Sequence, residues 1–384
     1  MFVRCYENVA ELEPFRTEWE ALAAGCTFRS WTWLSTWWRH YGERVGSRQL
    51  RVIAAFADDG EQRGALAAVL PCYLDATWAR GRALRLLGDG EVCSDHAGLL
   101  VHGKHSLESA TAIANYLALQ DDWDVVEFAA VDADDVATLR LHASLAEHGC
   151  VVSRVPGDQT WAIGLPSTWE EFLARQSKSH RKQLRQAERR VLDSGDAEWR
   201  PVTTADDLDD AWGTLIDLHQ RRRRSLGEPG CFASPPWAAF HREVAGALLA
   251  EGRLRLSTLT LAGAPAAAEY HFAGDGATFA YQGGVDPSRL ADEPGRLSTI
   301  RCIQQAIAEG HGRFDLLRGD EPYKAHWRAT PRPAVRLFAV PPRGWSQLRH
   351  ASWQSMRGLS RLAKQLTGTV PTSPSLEGSG QRRD

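Results

Sequence analysis

Features typical of membrane-spanning and secreted proteins are missing from this 384-residue sequence. No stretch approaches the ~18 consecutive apolar residues that a transmembrane helix needs. The first residues, MFVRCYENVAELEPF, do not combine a basic start with an apolar core, so they do not have the pattern of a signal peptide. We therefore expect a cytoplasmic protein.

Paired cysteines are missing as well. None of the seven cysteines forms a C-x-x-C pair, and their number is odd. The lack of C-x-x-C pairs excludes the usual zinc motifs, and the odd number of cysteines argues against a disulfide framework. Scattered thiols are typical of a reducing compartment. We predict that the cysteines are structural and that the protein binds no metal.

A strong excess of charge of either sign is also absent. The chain has 45 Lys and Arg against 48 Asp and Glu, for a net charge of -3. Such a balance provides no overall field to attract nucleic acid, so we expect no DNA partner. Its 43% hydrophobic and 24% charged residues fit a globular protein, and its length fits two domains.

The pattern of apolar residues predicts an α/β (α+β) protein with two lobes. Strands and helices alternate over 1–158, the first lobe, and again over 159–342, the second. The Trp-rich stretch 31–38 predicts a helix, either in the core or as an aromatic wall for a substrate. Residues 343–366 predict a basic amphipathic helix, and the Pro-, Ser- and Gly-rich tail 367–384 is typical of disorder.

The region 253–341 is the most informative part of the chain. It predicts a hairpin over 253–274, a strand over 276–286, a helix over 296–310, a strand over 313–319 and a last strand of the second lobe over 334–341. Pro294-Gly295-Arg296 stands where the helix begins. A helix N-terminus with a glycine suits a pyrophosphate, although a P-G pair alone is more often only a turn.

Specific residues in this region resemble the second half of the BioF2-like acetyltransferase family, which belongs to the GNAT superfamily and is related to FemAB-type aminoacyltransferases. The matching residues are Tyr281, Gly284, Asp286, Pro294, Gly295, Asp315, Arg318, Gly319, Glu321, Tyr323, Lys324 and Trp327. Ser179, Arg181 and Arg185 match as well, and the tryptophans near 31–38 match more loosely. The resemblance covers roughly residues 1–340.

The resemblance implies two tandem GNAT-like lobes of mixed sheets flanked by helices. It implies acetyl-CoA or another acyl-CoA as donor, and a sugar- or lipid-linked acceptor in envelope or exopolysaccharide biosynthesis. The usual pyrophosphate signature, Q/R-x-x-G-x-G/A, is missing. We expect Pro294, Gly295 and Arg296 to take its place, with Arg181 and Arg185 as further phosphate-binding residues, unless that helix merely has a solvated basic face.

Transfer by direct attack needs a base, donors for the developing oxyanion and an acid for the leaving thiolate, but no covalent nucleophile. Lys324 is the candidate for stabilising the oxyanion or a phosphate, and Tyr323 for donating a proton. Glu269 and His271 lie two apart on one strand, so they share a face, and either is a candidate base. The structural alternatives are an ion pair of Lys324 with Glu321 or Asp320, a packing role for Tyr323, and ordinary sheet roles for Glu269 and His271.

The predicted substrate-binding residues are Asp95, Tyr281, Gln282, Asp315, Arg318 and Glu321. The structural alternatives are an ion pair between Asp315 and Arg318 and a turn role for Asp95. The helix over 343–366 either contacts an anionic membrane surface or packs on the protein. Two further hypotheses stay open: a FemAB-like enzyme that uses aminoacyl-tRNA, and a non-catalytic GNAT-like partner in a biosynthetic complex.

Overall fold

The computed structural model of the protein describes residues 1–57, 64–101 and 103–366. The predicted disordered tail, 367–384, lies outside the described residues. The chain forms two compact units. The first contains Met1–Asp158 and the segment that starts at Pro333, and the second contains Gln159–Arg332.

The first unit alternates strands and helices, as the sequence predicts. Its elements up to residue 158 are β1 (Phe2–Tyr6), α1 (Arg16–Ala23), α2 (Trp31–Trp37), β2 (Arg48–Leu50), β3 (Val52–Phe56), β4 (Leu66–Leu70), β5 (Cys72–Thr77), β6 (Gly81–Leu86), β7 (Leu100–Val101), α3 (Ser106–Ala118), β8 (Val125–Asp132), α4 (Val136–Glu147) and β9 (Val151–Pro156).

The second unit contains the predicted hairpin, helix and closing strand. Its elements are β10 (Thr160–Gly164), α5 (Trp169–Arg175), α6 (Lys178–Ala187), β11 (Ala197–Pro201), α7 (Ala205–Ser225), α8 (Pro235–Ala250), β12 (Leu254–Leu261), β13 (Ala264–Gly274), β14 (Ala277–Val285), α9 (Pro294–Ala308), β15 (Arg313–Arg318), α10 (Pro322–His326) and β16 (Thr330–Arg332). The chain then returns to the first unit as β17 (Ala334–Val340) and α11 (Gly344–Leu366).

The place of β17 corrects the predicted domain boundary. The sequence assigned this strand to the second lobe, 159–342. In the structure it lies between β8 and β9 in the six-stranded sheet β2-β5-β6-β8-β17-β9. A second sheet of the first unit has the order β1-β3-β4-β7. An apolar strand near the end of a chain fits either sheet by its pattern alone, so only the pairing partners decide.

The tryptophan-rich helix α2 is part of the core of the first unit. Ser30 caps it by accepting a hydrogen bond from the Trp33 N–H. Trp31, Trp33 and Trp37 are each at most 4% exposed. This burial favours the core interpretation over an aromatic wall for a substrate.

The second unit has a seven-stranded sheet in the order β11-β12-β13-β14-β15-β10-β16. All neighbouring pairs of this sheet are antiparallel except β14 and β15, which are parallel and are connected through α9. Helix α9 packs against one face of this sheet with Leu297, Ile300 and Ile303. Helices α7 and α8 contact strands β12 to β14 as well.

Candidate active site

The two parallel strands of the second unit diverge and leave a gap in the sheet. Ala277–Phe279 pairs with Arg313–Asp315, and the pairing stops there although both strands continue. The outer edge of β14 is paired with β13, and that of β15 with β10. The inner edges beyond Phe279 and Asp315 therefore have no strand partner among the described residues. Such edges can hydrogen-bond an extended ligand.

A β-bulge lies at the start of this gap. Tyr270 is opposite Gln282, whereas His271 is opposite Ala280, so Tyr281 is the extra residue. A bulge interrupts the ladder and turns a backbone group away from its strand partner. Across the gap, Leu317 of β15 has a φ of 56°, which is rarely adopted by a residue with a side chain. Strained backbone of this kind clusters at functional sites.

Helix α9 begins beside the carboxyl end of β14. Its first residue is Pro294, two residues before the predicted start at 296, and no side chain caps its N-terminus. A Cβ added to Gly295 would meet only the Val285 Cγ1, at 3.6 Å, so packing does not demand a glycine there. Arg296 pairs with Glu293 at 2.7 Å. Pro294 has no backbone N–H, and those of Arg296 and Leu297 donate to the Glu293 carbonyl at 2.9 and 3.2 Å. The first turn therefore offers an anion the Gly295 N–H, the positive end of the helix dipole and the Arg296 cation.

A histidine pair that sequence reasoning missed borders this helix end. His180 of α6 contacts His326 of α10, with ring centroids 4.1 Å apart and ring planes tilted by 46°. His180 is 3% exposed, and neither ring nitrogen has a hydrogen-bond partner among the described residues. Burial lowers its pKa to about 4, and the neighbouring His326, Arg296 and Arg328 act in the same direction. A buried, unsatisfied imidazole among cations suits an anionic ligand.

The predicted phosphate-binding arginines Arg181 and Arg185 lie on α6, but their contacts point elsewhere. Arg181 donates to the Ala174 carbonyl at 3.5 Å, and Arg185 to the Glu170 carboxylate at 2.7 Å. The Arg185 pair is half exposed or more, at 50% and 72%, so it adds little stability. The solvated-face alternative fits Arg185 better than phosphate binding.

Glu269 and His271 face α9 together, as their spacing predicts. The His271 Nε2 is 3.1 Å from one Glu269 carboxylate oxygen, and the Ser298 hydroxyl donates to the other. Ser298, which sequence reasoning missed, lies in the first turns of α9. A Cβ on Gly283 would come within 2.7 Å of the Glu269 Oε2, so this glycine of β14 makes room for the carboxylate. Glu269 therefore lies over β14, at the edge of the gap.

Tyr323 lies on the β15 side of the gap, in helix α10, which follows that strand. Burial raises its pKa, and the charges of Glu321 and Glu269 raise it further. Its phenol therefore stays protonated at neutral pH and can donate a hydrogen bond. The electrostatic effect of Glu269 on Tyr323 indicates that these two predicted catalytic side chains lie near one another.

Lys324 does not have the environment that its predicted role requires. It is fully buried, and its ammonium donates to the carbonyls of Leu317, Arg318 and Gly319 at 3.2, 2.6 and 3.1 Å. The Glu321 carboxylate lies 3.0 Å away. Four acceptors surround three N–H donors, so none remains for a ligand. The alternative ion pair with Glu321 is what forms, and both residues hold the end of β15.

Other predicted substrate-binding residues face the protein interior. Asp315 is 0% exposed, and its carboxylate accepts from the Leu317 N–H at 2.9 Å. Arg313 forms an ion pair with it at 3.6 Å, and the predicted pair of Asp315 with Arg318 stays a prediction. The Tyr281 hydroxyl is 3.0 Å from the His241 Nε2, and Gln282 donates to the Cys231 Sγ at 3.4 Å. These contacts fix β14 on its helices.

Asp95 lies in the first unit, which also contains a pair of parallel strands. There another segment of the chain occupies the space between the two strands. There β6 and β8 are parallel and pair only over Ala83–Arg85 and Val125–Glu127. Beyond that pairing, Ala97 takes the strand position beside Val131. Asp95 itself is 2% exposed, so the turn alternative fits it better than contact with an acceptor.

Side chains hold this inserted segment in place. The Trp33 Nε1–H donates to the Ser94 hydroxyl at 2.8 Å, and the His96 Nδ1 is 2.9 Å from Asp132. The Ala97 N–H donates to the Ala130 carbonyl at 3.0 Å. The first unit therefore repeats the diverging strands but has no open gap between them.

Comparison with known proteins agrees with this geometry. Residues 178–325 match the family model described as an acetyltransferase (GNAT) domain. The match covers the two diverging strands, α9 and most of α10. No curated protein sequence matches the chain significantly.

Solved structures resemble the chain over nearly its whole length. FemX is 11% identical, with a TM-score of 0.63 over 91% of this chain and 99% of that one. The C-terminal domain of a putative lysylphosphatidylglycerol synthetase from Agrobacterium fabrum is 12% identical, with a TM-score of 0.52 over 91% and 96%. A conserved protein from Bacteroides thetaiotaomicron has 11% identity and a TM-score of 0.51 over 88% and 100%.

The predicted fold class is confirmed: the protein is α/β, with mixed sheets flanked by helices in two units, and the GNAT match lies in the second unit. The predicted enzyme class is confirmed as well, since the second unit carries an acyltransferase domain of the GNAT type. Among the described residues, no three or more His, Cys, Asp and Glu side chains cluster as a metal site would require. None of the described helices is both long and apolar enough to cross a bilayer.

Proposed function

We propose that the second unit binds an acyl-CoA in the gap between β14 and β15 and transfers its acyl group to an amine or hydroxyl. The observation that carries the proposal is the divergence of the two strands after Phe279 and Asp315, with the uncapped start of α9 beside it. GNAT domains use such donors, and the matched family model spans this region. Acetyl is the expected acyl group.

Each part of the donor has a counterpart in the site. The extended, amide-bearing arm of CoA would pair with the free inner strand edges, as an added strand does. Its phosphates would lie at the first turn of α9, near Arg296 and His180. The thioester carbonyl would then lie at the Tyr281 bulge, where backbone N–H groups would act as oxyanion donors.

Two side chains are assigned to proton transfer. Glu269 takes the proton from the acceptor, and the hydroxyl of Ser298 orients its carboxylate. The protonated phenol of Tyr323 donates to the charge that develops on the leaving thiolate. The acceptor attacks directly, so the C–S bond of the thioester breaks as the new C–N or C–O bond forms.

The finer assignments rest on the sequence resemblance alone. They are a BioF2-like specificity and a sugar- or lipid-linked acceptor in envelope or exopolysaccharide biosynthesis. A cytoplasmic location is supported by the seven cysteines, none of which forms a disulfide. The aminoacyl-tRNA alternative receives no support from a projecting helical arm, because the longest described helix of the second unit, α7, packs on β13 and β14.

The test is a calorimetric titration of acetyl-CoA into wild type and Gly295→Val. We expect the fold to stay intact because an added Cβ would have one neighbour within 4 Å, the Val285 Cγ1 at 3.6 Å, whereas the bulk at residue 295 would hinder an anion at the start of α9. We expect saturable binding by wild type and loss of binding by the variant. Gly213→Val is the matched control, since Gly213 is also an open helical glycine. A folded wild type that binds no CoA ester would refute the proposal and favour the tRNA-dependent or non-catalytic alternatives.

The assignment of Glu269 is tested separately by Glu269→Gln. This variant should bind acetyl-CoA like wild type while its kcat falls by about 10²–10⁴, the usual contribution of a general base. His271→Gln is the control, and it should have the smaller effect. An equal fall in both variants would move the role of the base to His271.

A further inference from the structure

Three large apolar side chains stand out from the rest of the described surface. Trp78 is 94% exposed, Leu119 is 84% exposed and Trp345 is 68% exposed, which are the highest values among the large apolar residues. They lie in the turn between β5 and β6, directly after α3, and at the start of α11. Soluble proteins rarely group such side chains without a partner.

Contacts within the first unit bring these three places together. The Arg80 guanidinium, two residues after Trp78, lies 3.8 Å from the ring centroid of Trp353 on α11. Arg343, just before α11, donates to the Gln120 carbonyl at 3.3 Å, one residue after Leu119. Helix α11 is thus bordered by the β5–β6 turn on one side and by the end of α3 on the other.

Helix α11 packs on the protein with one face only. The Ser346 hydroxyl donates to Asp124 at 2.8 Å, and the rings of His350 and Trp353 lie 6.0 and 6.3 Å from that of Phe338. Trp345 lies outside this contact, as does Leu348, which is 59% exposed. One face of the helix therefore packs on the protein, as one of the two predictions has it, and Trp345 and Leu348 are exposed outside that face.

The charge of this segment favours one kind of partner. From Arg343 to Leu366 the chain has five Lys and Arg residues and no Asp or Glu. An apolar stripe with tryptophan on a basic helix is the pattern of segments that lie in a bilayer interface, where indole rings prefer the headgroup region. An acidic protein surface would match the charge but not the grouped indole and leucine side chains.

We propose that Trp78, Leu119, Trp345 and Leu348 form a membrane-docking surface, by which the first unit binds the headgroup region of an anionic bilayer. The surface belongs to the first unit alone, so it is independent of the donor site in the second. Docking leaves the chain outside the hydrocarbon core and holds the protein at the plane where lipid-linked molecules are exposed.

The experiment is flotation of the full chain with vesicles of equal parts phosphatidylglycerol and phosphatidylcholine, and with vesicles of phosphatidylcholine alone. Wild type should float with the anionic vesicles and be released as salt screens the charges. Trp78→Ser/Trp345→Ser should bind at least about tenfold more weakly, because two indole rings no longer enter the interface. Val136→Ser is the control; Val136 is 64% exposed but lies at the start of α4.

Three outcomes would overturn the proposal: wild type that stays in the buffer with anionic vesicles, a double variant that floats like wild type, or equal flotation with neutral vesicles. The first would indicate that a protein covers this surface. Both substituted tryptophans are exposed, so the variants should fold, and circular dichroism with thermal unfolding checks that they do.

Discussion

Lys324→Met distinguishes the structural role of Lys324 from the catalytic role that the sequence predicted. The substitution removes the ammonium but keeps the length of the side chain. It leaves the Glu321 carboxylate, only 5% exposed, without its counter-charge, and three carbonyls without their donor. Removing one partner of a buried pair costs about 3–5 kcal/mol. The free energy of unfolding should fall by that amount, and Tm by roughly 6–20 °C for a unit of this size.

The assay is thermal unfolding followed by circular dichroism, together with acetyl-CoA titration below the transition. Glu321→Gln/Lys324→Met should recover part of the loss, because no uncompensated charge stays buried. Lys182→Met, at an exposed position on α6, is the control and should change Tm little. A Lys324→Met protein as stable as wild type but inactive would refute our reasoning and restore the catalytic role.

Three further predictions follow from the described contacts. Gly319→Ala should lower the free energy of unfolding, measured with urea, by more than ~1 kcal/mol. The reason is that Gly319 has a φ of 109° and an added Cβ would meet a Glu321 oxygen at 2.5 Å. An unchanged urea midpoint would contradict this. The folded-state pKa of His180 is lowered to about 4 from 6.5, so its contribution to stability is complete above pH 6.5 and is lost as pH falls towards 4. His180→Phe should flatten the pH dependence of the free energy of unfolding between pH 4 and 6.5. A pH profile identical to that of wild type would count against the buried imidazole. Calorimetry should give one acetyl-CoA per chain, because Ala97 occupies the gap of the first unit; two equivalent sites would show that this segment moves out.

The sequence was sufficient for those features that depend on local pattern. The alternation of apolar and polar residues located β13 and put Glu269 and His271 on one face, and the P-G pair located the start of α9 to within two residues. These predictions succeed because side-chain direction in a strand and the start of a helix are set by residues close in sequence.

The roles of Tyr323 and Lys324, which follow β15, could not be predicted in the same way. A lysine in a loop after a strand fits both a ligand contact and an internal ion pair. Burial decides between them, and burial depends on how the loop folds back on Leu317 and Gly319. The same holds for Asp315, because the spacing of residues along the sequence does not reveal that its side chain is fully buried. The residues most specific to the family resemblance therefore shape the site and, for Lys324, do not reach a ligand.

By itself the sequence determined the α/β class and the presence of two lobes, because composition and the spacing of apolar residues are local properties of the chain. The acyltransferase type of the second lobe followed from the resemblance of its residues to a known family. Only the tertiary structure decided that β17 returns to the first unit, that His180 and His326 meet beside α9, and that one of two similar gaps is filled. These facts join residues far apart along the chain. Such contacts form only when the sheets are assembled, since they depend on strand order and burial that no local pattern specifies.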